Sequence, residues 1–294
     1  MSLRRGLGRW VVRRLLRPSL SPALAMAERR RRAEMLAGTL PSPAGVKVEA
    51  GHVGGLPGEW LLPKDATPGL ACLYCHGGGF VLGSPKTHRA AAARLARAAS
   101  MDTFVLDYRL APEFPFPAAR DDVLAGWRDL CRRTHLHSIV MAGDSAGGTL
   151  AVSATMVLQQ VGEQGPAALA LFSPLLDLTL PSPPAGRTAD LMLPEDFVTE
   201  AVDAYRAGRP ADDPALSPLL GSLDGLPPTL VTVDAAERLG GDARRLAARC
   251  PEQVELLEAE GLWHAWPLMA GLVPEANETL AKAGRFLAVH AAGG

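Results

Sequence analysis

The pentapeptide Gly143-Asp144-Ser145-Ala146-Gly147 is the part of this sequence best suited to covalent chemistry. An apolar run precedes it and an Ala-, Thr- and Val-rich run follows, which predicts a strand, a sharp turn and a helix with the serine at the turn. The flanking glycines fit this interpretation, because on such a strained turn a β-carbon would collide with neighbouring backbone. Ser145 is therefore predicted to be a nucleophile.

A nucleophilic serine needs a histidine base, and the base needs a carboxylate that holds its tautomer. In the chain order that accompanies such a turn, both follow the serine. Five of the seven histidines precede Ser145 and His290 lies in a terminal helix-like run, so His264 is the predicted base. A core histidine packed between two tryptophans is the alternative. The acid is expected after the apolar run at 229–233, where the residues alone do not rank three candidates: Asp234, Glu237 and Asp242.

Attack on an acyl carbon creates an oxyanion, and each backbone N–H group aimed at it contributes about 3 kcal/mol. The segment His76-Gly77-Gly78-Gly79-Phe80 follows an apolar run, and its three glycines let bare backbone approach a substrate. The amide of Ala146, just after the serine, completes the predicted oxyanion hole. A phosphate-binding loop is the competing interpretation, but the segment lacks the Lys-Ser/Thr of a P-loop and the glycine spacing of a dinucleotide site.

The residues Cys72, Cys75 and His76 spell C-x-x-C-H, the attachment pattern of a c-type haem. Residues three apart in a strand point to opposite faces, so the two cysteines are not expected to hold one ligand. They are interpreted as small apolar core residues that stay reduced. No metal or cofactor is expected.

The predicted elements that position these residues alternate along the chain from about residue 68, as is typical of an α/β fold with a mostly parallel sheet. Predicted strands cover 70–75, 103–107, 138–142, 167–172, 229–233 and 254–258, and predicted helices cover 88–99, 118–132, 149–160 and 242–249. Two regions depart from the pattern. Residues 1–45 carry a helical stripe, Leu3, Leu7, Val11 and Leu15, and the Pro- and Gly-rich insertion at 174–227 contains one helix near 195–205.

Composition describes a globular chain with an uneven charge distribution. Its 294 residues, 48% hydrophobic and 21% charged, exclude disorder and a fibrous architecture. The net charge of −1 gives no reason to expect nucleic-acid binding. Residues 1–34 nevertheless hold ten arginines and two glutamates, so the remainder sums to −9. Arg13-Arg14 interrupts the apolar residues of this segment, so neither a signal peptide nor a membrane span is expected and the protein is predicted to be cytoplasmic.

Three motifs at these separations together resemble one family: His76 to Gly79, Asp107-Tyr108-Arg109-Leu110-Ala111-Pro112-Glu113, and Gly143 to Gly148. They are similar to those of the hormone-sensitive-lipase-like esterases, which are α/β-hydrolases. The likeness runs from about residue 50 to 290 and includes His264-Ala265-Trp266-Pro267-Leu268. It implies an α/β-hydrolase fold: a mostly parallel central sheet flanked by helices forms the catalytic domain (46–294). N-terminal cap helices (1–45) and the insertion at about 174–227 are expected to cover it.

The resemblance also implies roles for individual residues. It assigns the oxyanion donors to Gly78, Gly79 and Ala146, with His76, Gly77 and Asp144 as supporting motif residues. It favours Glu237 as the triad acid, although Asp234 stands where relatives usually keep a glycine, and it leaves Asp234 and Asp242 as alternatives. Tyr108 and Arg109 are expected to be structural. The aromatic residues Trp10, Trp263, Trp266 and Phe80 either line an acyl pocket or pack in the cap or core, and packing is favoured.

These observations predict a metal-independent serine carboxylesterase that acts on short- to medium-chain acyl esters. Ser145 attacks, His264 shuttles the proton, Glu237 orients His264, and water releases the acid. A lactone or N-acetyl hydrolase on the same triad and a non-catalytic small-molecule receptor are the alternatives. The expected partner is a small-molecule ester and not nucleic acid. The arginine-rich start is interpreted as a lid with its arginines outward, in preference to a membrane anchor, and a homodimer is left open.

Overall fold

The computed structural model describes residues 3–37, 39–40, 43–133, 135–181 and 190–293. Parts of the two predicted cap segments, at 1–2, 38, 41–42 and 182–189, lie outside the described residues. In the described part of the chain, no helix combines the length and apolar composition needed to cross a membrane.

The central element is one sheet with the strand order β1-β2-β4-β3-β5-β6-β7-β8. Its strands are β1 (Val46–Val53), β2 (Leu56–Pro63), β3 (Leu70–Cys75), β4 (Asp102–Leu106), β5 (Ser138–Asp144), β6 (Leu169–Phe172), β7 (Thr229–Asp234) and β8 (Val254–Ala259). β2 runs antiparallel to both β1 and β4, whereas the pairs from β4 through β8 are parallel. The predicted mostly parallel sheet is therefore confirmed.

The six predicted strands are all present, with ends that differ by at most two residues. The antiparallel hairpin of β1 and β2 is an addition that the apolar runs do not reveal. Along β1 most side chains are exposed or half-buried, because it is one of the two edge strands of the sheet. An edge strand of this kind has no continuous apolar run that would mark it in the sequence.

The helices flank the sheet on both faces and form the cap. They are α1 (Leu3–Val11), α2 (Arg17–Ser19), α3 (Met26–Ala37), α4 (Pro85–Ala99), α5 (Ala118–Cys131), α6 (Ala146–Gln160), α7 (Glu195–Arg206), α8 (Gly240–Arg249) and α9 (Pro274–Ala292). A π-helical turn at Val12–Leu16 joins α1 to α2. For α4, α6 and α8, the sequence places the first residue of the helix two or three residues later than the structure does. At α4 the cause is a capping box, in which Ser84 and Thr87 exchange side-chain and backbone hydrogen bonds ahead of the apolar periodicity.

The core lies in two layers, one on each face of the sheet. Helices α4 and α9 pack together on one face, where a β-carbon on Gly284 would lie 2.5 Å from the Ala98 side chain. Cys72 belongs to that layer, whereas Cys75 belongs to the layer that contains α5 and α6. The expectation that these two cysteines face opposite ways is confirmed.

The cap packs on the body through close contacts of α1 and α3. A β-carbon on Gly8 would lie 2.7 Å from the indole of Trp263, so α1 approaches that ring as closely as a glycine allows. Arg29 joins α3 to α7 by hydrogen bonds of 2.8 and 2.9 Å to the Glu200 carboxylate.

The expectation that the arginines face outward is wrong for part of this segment. The Arg29 side chain is 2% exposed, and its remaining N–H groups donate to the carbonyl oxygens of Leu24 and Pro22. Other arginines of the segment reach the rest of the protein: Arg5, Arg9, Arg17 and Arg30. A guanidinium carries five donors in a rigid fork, so it can be buried where carbonyls and a carboxylate surround it.

Candidate active site

The loops that follow β3, β5, β7 and β8 carry the predicted site residues. His76 to Gly79 follow β3, Ser145 follows β5, Glu237 follows β7, and His264 follows β8. Parallel strands present their carboxyl ends at the same edge of a sheet, where α/β proteins place their ligand sites. Residues that are far apart in the sequence therefore converge on one edge.

Ser145 has the strained backbone that the sequence predicts. Its φ of 51° and ψ of −119° lie outside the regions that L-residues usually occupy. A β-carbon on Gly147 would lie 2.0 Å from the carbonyl oxygen of Cys75, and one on Gly143 would lie 2.6 Å from Gly147. The expected collisions on both sides of the serine are confirmed. The turn ends at the N-terminus of α6, which begins at Ala146.

His264 and Glu237 face each other in the interior. Nδ1 of His264 lies 3.5 Å from Oε1 of Glu237, and neither of these buried atoms has a hydrogen-bond partner at shorter range among the described residues. The other carboxylate oxygen of Glu237 accepts hydrogen bonds from the Ser173 hydroxyl, at 2.8 Å, and the Asp234 amide, at 3.2 Å. Glu237 is therefore held from one side and aimed at the imidazole from the other.

The two alternative acids have other contacts. Asp234 accepts hydrogen bonds from the backbone amides of Leu262 and Ala236. Asp242 accepts from the amides of Leu176 and Asp177 and from the Arg245 guanidinium. Of the three candidates, Glu237 is the carboxylate that the structure brings to His264.

Burial and charge act in opposite directions on this pair. Burial lowers the pKa of His264, but the Glu237 carboxylate outweighs it and raises that pKa above the usual histidine value. Burial also raises the pKa of Glu237, and His264 and the Ser173 hydroxyl partly offset this rise. A histidine with a raised pKa beside a carboxylate is suited to accept a proton and hold it briefly.

The glycine loop after β3 leaves backbone donors free. Gly78 and Gly79 have φ values of 116° and 64°, a conformation that favours glycine. Among the described residues, the N–H groups of Gly78, Gly79 and Ala146 have no hydrogen-bond acceptor. Gly78 and Gly79 line the same cavity as Ser145. Their amides and the helix N-terminus at Ala146 are thus available to an anionic atom there.

Asp144, the residue before Ser145, ties the glycine loop to the turn. Its Oδ1 accepts from the Gly77 amide at 3.1 Å and the Tyr74 hydroxyl at 2.9 Å, and Oδ2 lies 3.3 Å from Nε2 of His88. Burial raises the pKa of Asp144, but His88 and Tyr74 outweigh it and lower the value below its usual range. The loop and the serine therefore share one buried carboxylate.

His76 packs within the protein beside the loop. Its ring stacks on Tyr108 with centroids 4.1 Å apart, and the Tyr108 hydroxyl donates to the His76 carbonyl at 2.7 Å. Burial lowers the pKa of His76 to about 3. Nδ1 lies 2.8 Å from the Gly77 carbonyl, so in the neutral ring this nitrogen is the donor. Arg109 pairs with Asp122 at 2.7 Å. These contacts are structural ones.

An apolar cavity of about 410 Å³ lies between the cap and this edge of the sheet. The N-terminal segment contributes Val11, Leu15, Leu16, Leu20, Leu36 and Leu40, and the residues from 190 onward contribute Met192, Leu193, Phe197, Val198 and Val202. Ser145, His264 and the glycine loop form its floor. Asp144 is the one carboxylate among the described lining residues, and it is already engaged by Gly77, Tyr74 and His88. There is no Lys, Arg or Glu in that lining, so the cavity suits uncharged apolar groups.

Only one of the four aromatic candidates lines this cavity. Trp263 does so, next to His264. Phe80 is buried and stacks on Tyr205 with centroids 3.7 Å apart, and Trp266 is buried with its indole N–H donating to Thr279. Trp10 lies exposed on the surface.

Ser173 is a site residue that the sequence analysis missed. It is fully buried directly after β6, with φ 49°, and besides donating to Glu237 it accepts a hydrogen bond from the Ala265 amide at 3.0 Å. It thus links the Glu237 side chain to the backbone just after His264. One feature could have indicated its role. Ser173 follows the carboxyl end of β6, and β6 lies in the sheet between β5, which precedes Ser145, and β7, which precedes Glu237.

Comparison with known proteins gives matches over most of the chain. A family model described as alpha/beta hydrolase fold matches residues 72–268. An acetyl-hydrolase of Streptomyces hygroscopicus is 36% identical over 262 residues, which cover 87% of this chain and 86% of that one. An esterase of Acinetobacter venetianus is 33% identical over 261 residues, 86% of each chain. The crystal structure of an esterase from the bacterial hormone-sensitive lipase family has a TM-score of 0.93 at 34% identity and 99% coverage of both chains.

Proposed function

Since this chain belongs to the α/β-hydrolase fold family, among its hormone-sensitive-lipase-like esterases, we propose that it hydrolyses carboxylic esters through an acyl-enzyme formed on Ser145. One observation carries the proposal. Ser145, His264 and the unpaired amides of the glycine loop border a single apolar cavity, and Glu237 stands behind His264. A nucleophile, a base and oxyanion donors around one space are the parts that acyl transfer needs.

In the proposed reaction, Oγ of Ser145 bonds to the acyl carbon while His264 takes the hydroxyl proton. The carbonyl electrons move to oxygen, and the N–H groups of Gly78, Gly79 and Ala146 stabilise that charge. The carbonyl double bond then reforms, the bond between the acyl carbon and the leaving oxygen breaks, and His264 gives its proton to that oxygen. The alcohol leaves, and the acyl group remains bonded to Oγ of Ser145. Water repeats the attack with His264 as base, and the acid and free Ser145 result. Glu237 stays ionised, keeps the imidazole oriented and stabilises its charged form.

The proposed substrates are uncharged esters with short- to medium-chain acyl groups. The apolar wall and the volume of about 410 Å³ favour such groups over charged ones. An acetyl group is one of them, because a relative is named for acetyl hydrolysis. Lactones and N-acetyl compounds present the same acyl carbon to the same donors, so they are the second class to assay.

The decisive test is Ser145→Ala in a p-nitrophenyl butyrate assay. We expect kcat to fall by about 10⁴-fold or more while the circular dichroism spectrum stays the same. Ser153→Ala is the matched control, because Ser153 is also buried on the helix that follows the turn and its hydroxyl donates to the Ala215 carbonyl, away from His264 and Glu237. Retention of more than a tenth of the native rate in Ser145→Ala would refute the assignment.

A panel of acetyl, butyryl, octanoyl and palmitoyl esters then tests the substrate class. We expect kcat/KM to be highest among the short and medium chains and to fall at palmitoyl, because the cavity volume is limited. A lactone and an N-acetyl sugar belong in the same panel. A clear preference for either would replace the ester assignment and keep the triad.

A further inference from the structure

The outer surface of α1 exposes large apolar side chains in a regular stripe. Leu3 is 95% exposed, Leu7 48% and Trp10 55%. The spacing i, i+4, i+7 puts all three on one side of the helix. Single exposed apolar residues need no explanation, but a contiguous stripe that includes tryptophan indicates a surface that meets something apolar.

The orientation of α1 is fixed from its other side. Gly8 seats against the Trp263 indole, and the following turn buries Val12. Arg5 pairs with Glu275 at 2.8 Å, and Arg9 donates to the Gly261 carbonyl at 3.1 Å. The helix therefore cannot turn its apolar stripe inward without losing these contacts, and the stripe is a feature of the folded protein.

Three arginines accompany the stripe. Arg4, Arg13 and Arg14 are exposed, and none of them has a carboxylate partner among the described residues. Elsewhere in the same segment the arginines do pair, as Arg29 and Arg30 do with Glu200 and Glu113. The unpaired guanidinium groups give this surface a positive charge beside its apolar stripe.

We propose that this surface, formed by Leu3, Arg4, Leu7, Trp10, Arg13 and Arg14 and called here the outer α1 face, docks on an anionic lipid surface. Apolar side chains with an interfacial tryptophan enter the boundary between headgroups and acyl chains, and arginines contact anionic headgroups. Each such arginine strengthens binding about fivefold. The partner has to be both apolar and negatively charged, and an anionic lipid surface has both properties.

The same helical segment also forms a wall of the cavity. Val11, Leu15 and Leu16 line the cavity within a turn or two of Trp10, and Leu15 is also 41% exposed. Docking through the outer α1 face would bring this wall against the lipid. This step rests on the proposed function, because it makes lipid-dissolved esters the substrates that reach Ser145.

Vesicles of ether-linked lipids test the docking without the reaction, because they contain no carboxylic ester to cleave. The full chain is sedimented with vesicles of diether phosphatidylcholine alone or with 30% diether phosphatidylglycerol, at low and high salt. We expect binding to the phosphatidylglycerol vesicles that weakens with salt, and little binding to phosphatidylcholine alone.

Two variants locate the surface. Arg4→Gln/Arg13→Gln/Arg14→Gln should lower the partition coefficient about 100-fold. The control Lys47→Gln/Lys64→Gln/Lys282→Gln removes the same charge from exposed positions elsewhere and should lower it far less. Trp10 is the one exposed tryptophan of the five, so binding should shift emission to the blue and Trp10→Phe should abolish that shift. Unfolding midpoints check that each variant folds.

Three results would overturn the proposal. One is the absence of binding to anionic vesicles, and another is a blue shift that survives in Trp10→Phe. The third is a concentration-dependent dimer, without vesicle binding, that the Leu7→Ser/Trp10→Ser variant dissolves, since a second copy would then be the occupant. In each case the native chain can still cleave p-nitrophenyl butyrate, so failure of docking is distinguishable from failure of the esterase assignment.

Discussion

Around Ser145 the tolerances are set by backbone atoms: a β-carbon on Gly143 would lie 2.6 Å from the Gly147 backbone, and one on Gly147 would lie 2.0 Å from the Cys75 carbonyl oxygen. The cap is built differently. Its cavity wall consists of aliphatic side chains from two separate segments, which Arg29 and Glu200 join across 171 residues. From this difference we expect the sheet edge to control the rate of the proposed reaction and the cap to control which substrates enter. Substitutions at the edge should therefore lower rate, and substitutions in the cap should alter stability and selectivity.

The largest effect at the edge, after the loss of the nucleophile, is expected for Glu237→Gln. We expect kcat to fall about 10³- to 10⁴-fold, because the amide no longer holds the reactive tautomer of His264 or stabilises its charge. Asp234→Asn and Asp242→Asn are the matched controls. They weaken hydrogen bonds to loop amides, so they should lower the unfolding midpoint and leave kcat within about tenfold. If Asp234→Asn lost as much kcat as Glu237→Gln, the assignment of Glu237 as the acid would be contradicted.

The pH profile tests the same edge. His264 accepts a proton only when neutral. Burial lowers its pKa, but Glu237, with smaller contributions from Asp190 and Asp144, raises it above the usual value of 6.5. We therefore expect kcat/KM to fall as pH drops through that raised value, by about tenfold per pH unit below it. In Glu237→Gln the acid limb of the residual activity should shift to lower pH, because the charge that raises the pKa of His264 is gone. An unmoved acid limb would show that Glu237 is not the group that acts on His264.

A smaller effect is expected for Ser173→Ala, which removes the donor behind Glu237. We expect kcat to fall about tenfold with little change in KM, because Ser173 lies behind the pair and is not among the cavity residues. The acid limb should move to higher pH, since a less stabilised carboxylate is more basic and attracts the proton of His264 more strongly.

Ser138→Ala is the control for this substitution. Ser138 is also buried, but it lies at the far end of β5 from Ser145. If Ser173→Ala lowers the unfolding midpoint while kcat and the acid limb stay in place, its role is structural only.

In the cap, Arg29→Met should change stability far more than rate. It leaves Glu200 and two carbonyl oxygens without their partner, so we expect cap docking to weaken by about 3 kcal/mol. Chymotrypsin should cut the N-terminal segment much faster, while kcat/KM for an acetyl ester should stay within about threefold. Arg31→Met, two residues on and exposed, is the control. A hundredfold loss of kcat in Arg29→Met would erase the distinction between edge and cap.

The parts of the molecule that the sequence predicts well are those that the backbone constrains. The five strands from β3 to β7 follow from buried apolar runs, and the turn at Ser145 follows from glycines that the structure shows to be sterically required. His264 follows from chain order together with the position of His290 in the terminal helix. The acid does not, because Asp234, Glu237 and Asp242 all stand near the same strand end, and their distinction depends on hydrogen bonds that no spacing reveals.

The parts that are hard to predict depend on partners distant in sequence. Arg29 belongs to an arginine-rich run that resembles a solvated face, and only the approach of Glu200 and two carbonyls makes its burial favourable. The roles of the two tryptophans are equally hard to predict. Trp263 and Trp266 are three residues apart in the sequence, but of the two only Trp263 lines the cavity. Ser173 looks like an ordinary strand end until β6 is placed beside β7.

The contact between Gly8 and Trp263 also has a consequence for synthesis on the ribosome. Helix α1 packs on Trp263, which is synthesised long after it, and Gly8 also abuts Val273. At a synthesis rate of about 5–20 residues per second, roughly 10 to 50 s pass between the synthesis of α1 and that of Trp263. Throughout that interval its leucines and Trp10 are free to meet other molecules of the cell. The docking of α1 is therefore a late folding step that depends on a segment synthesised early.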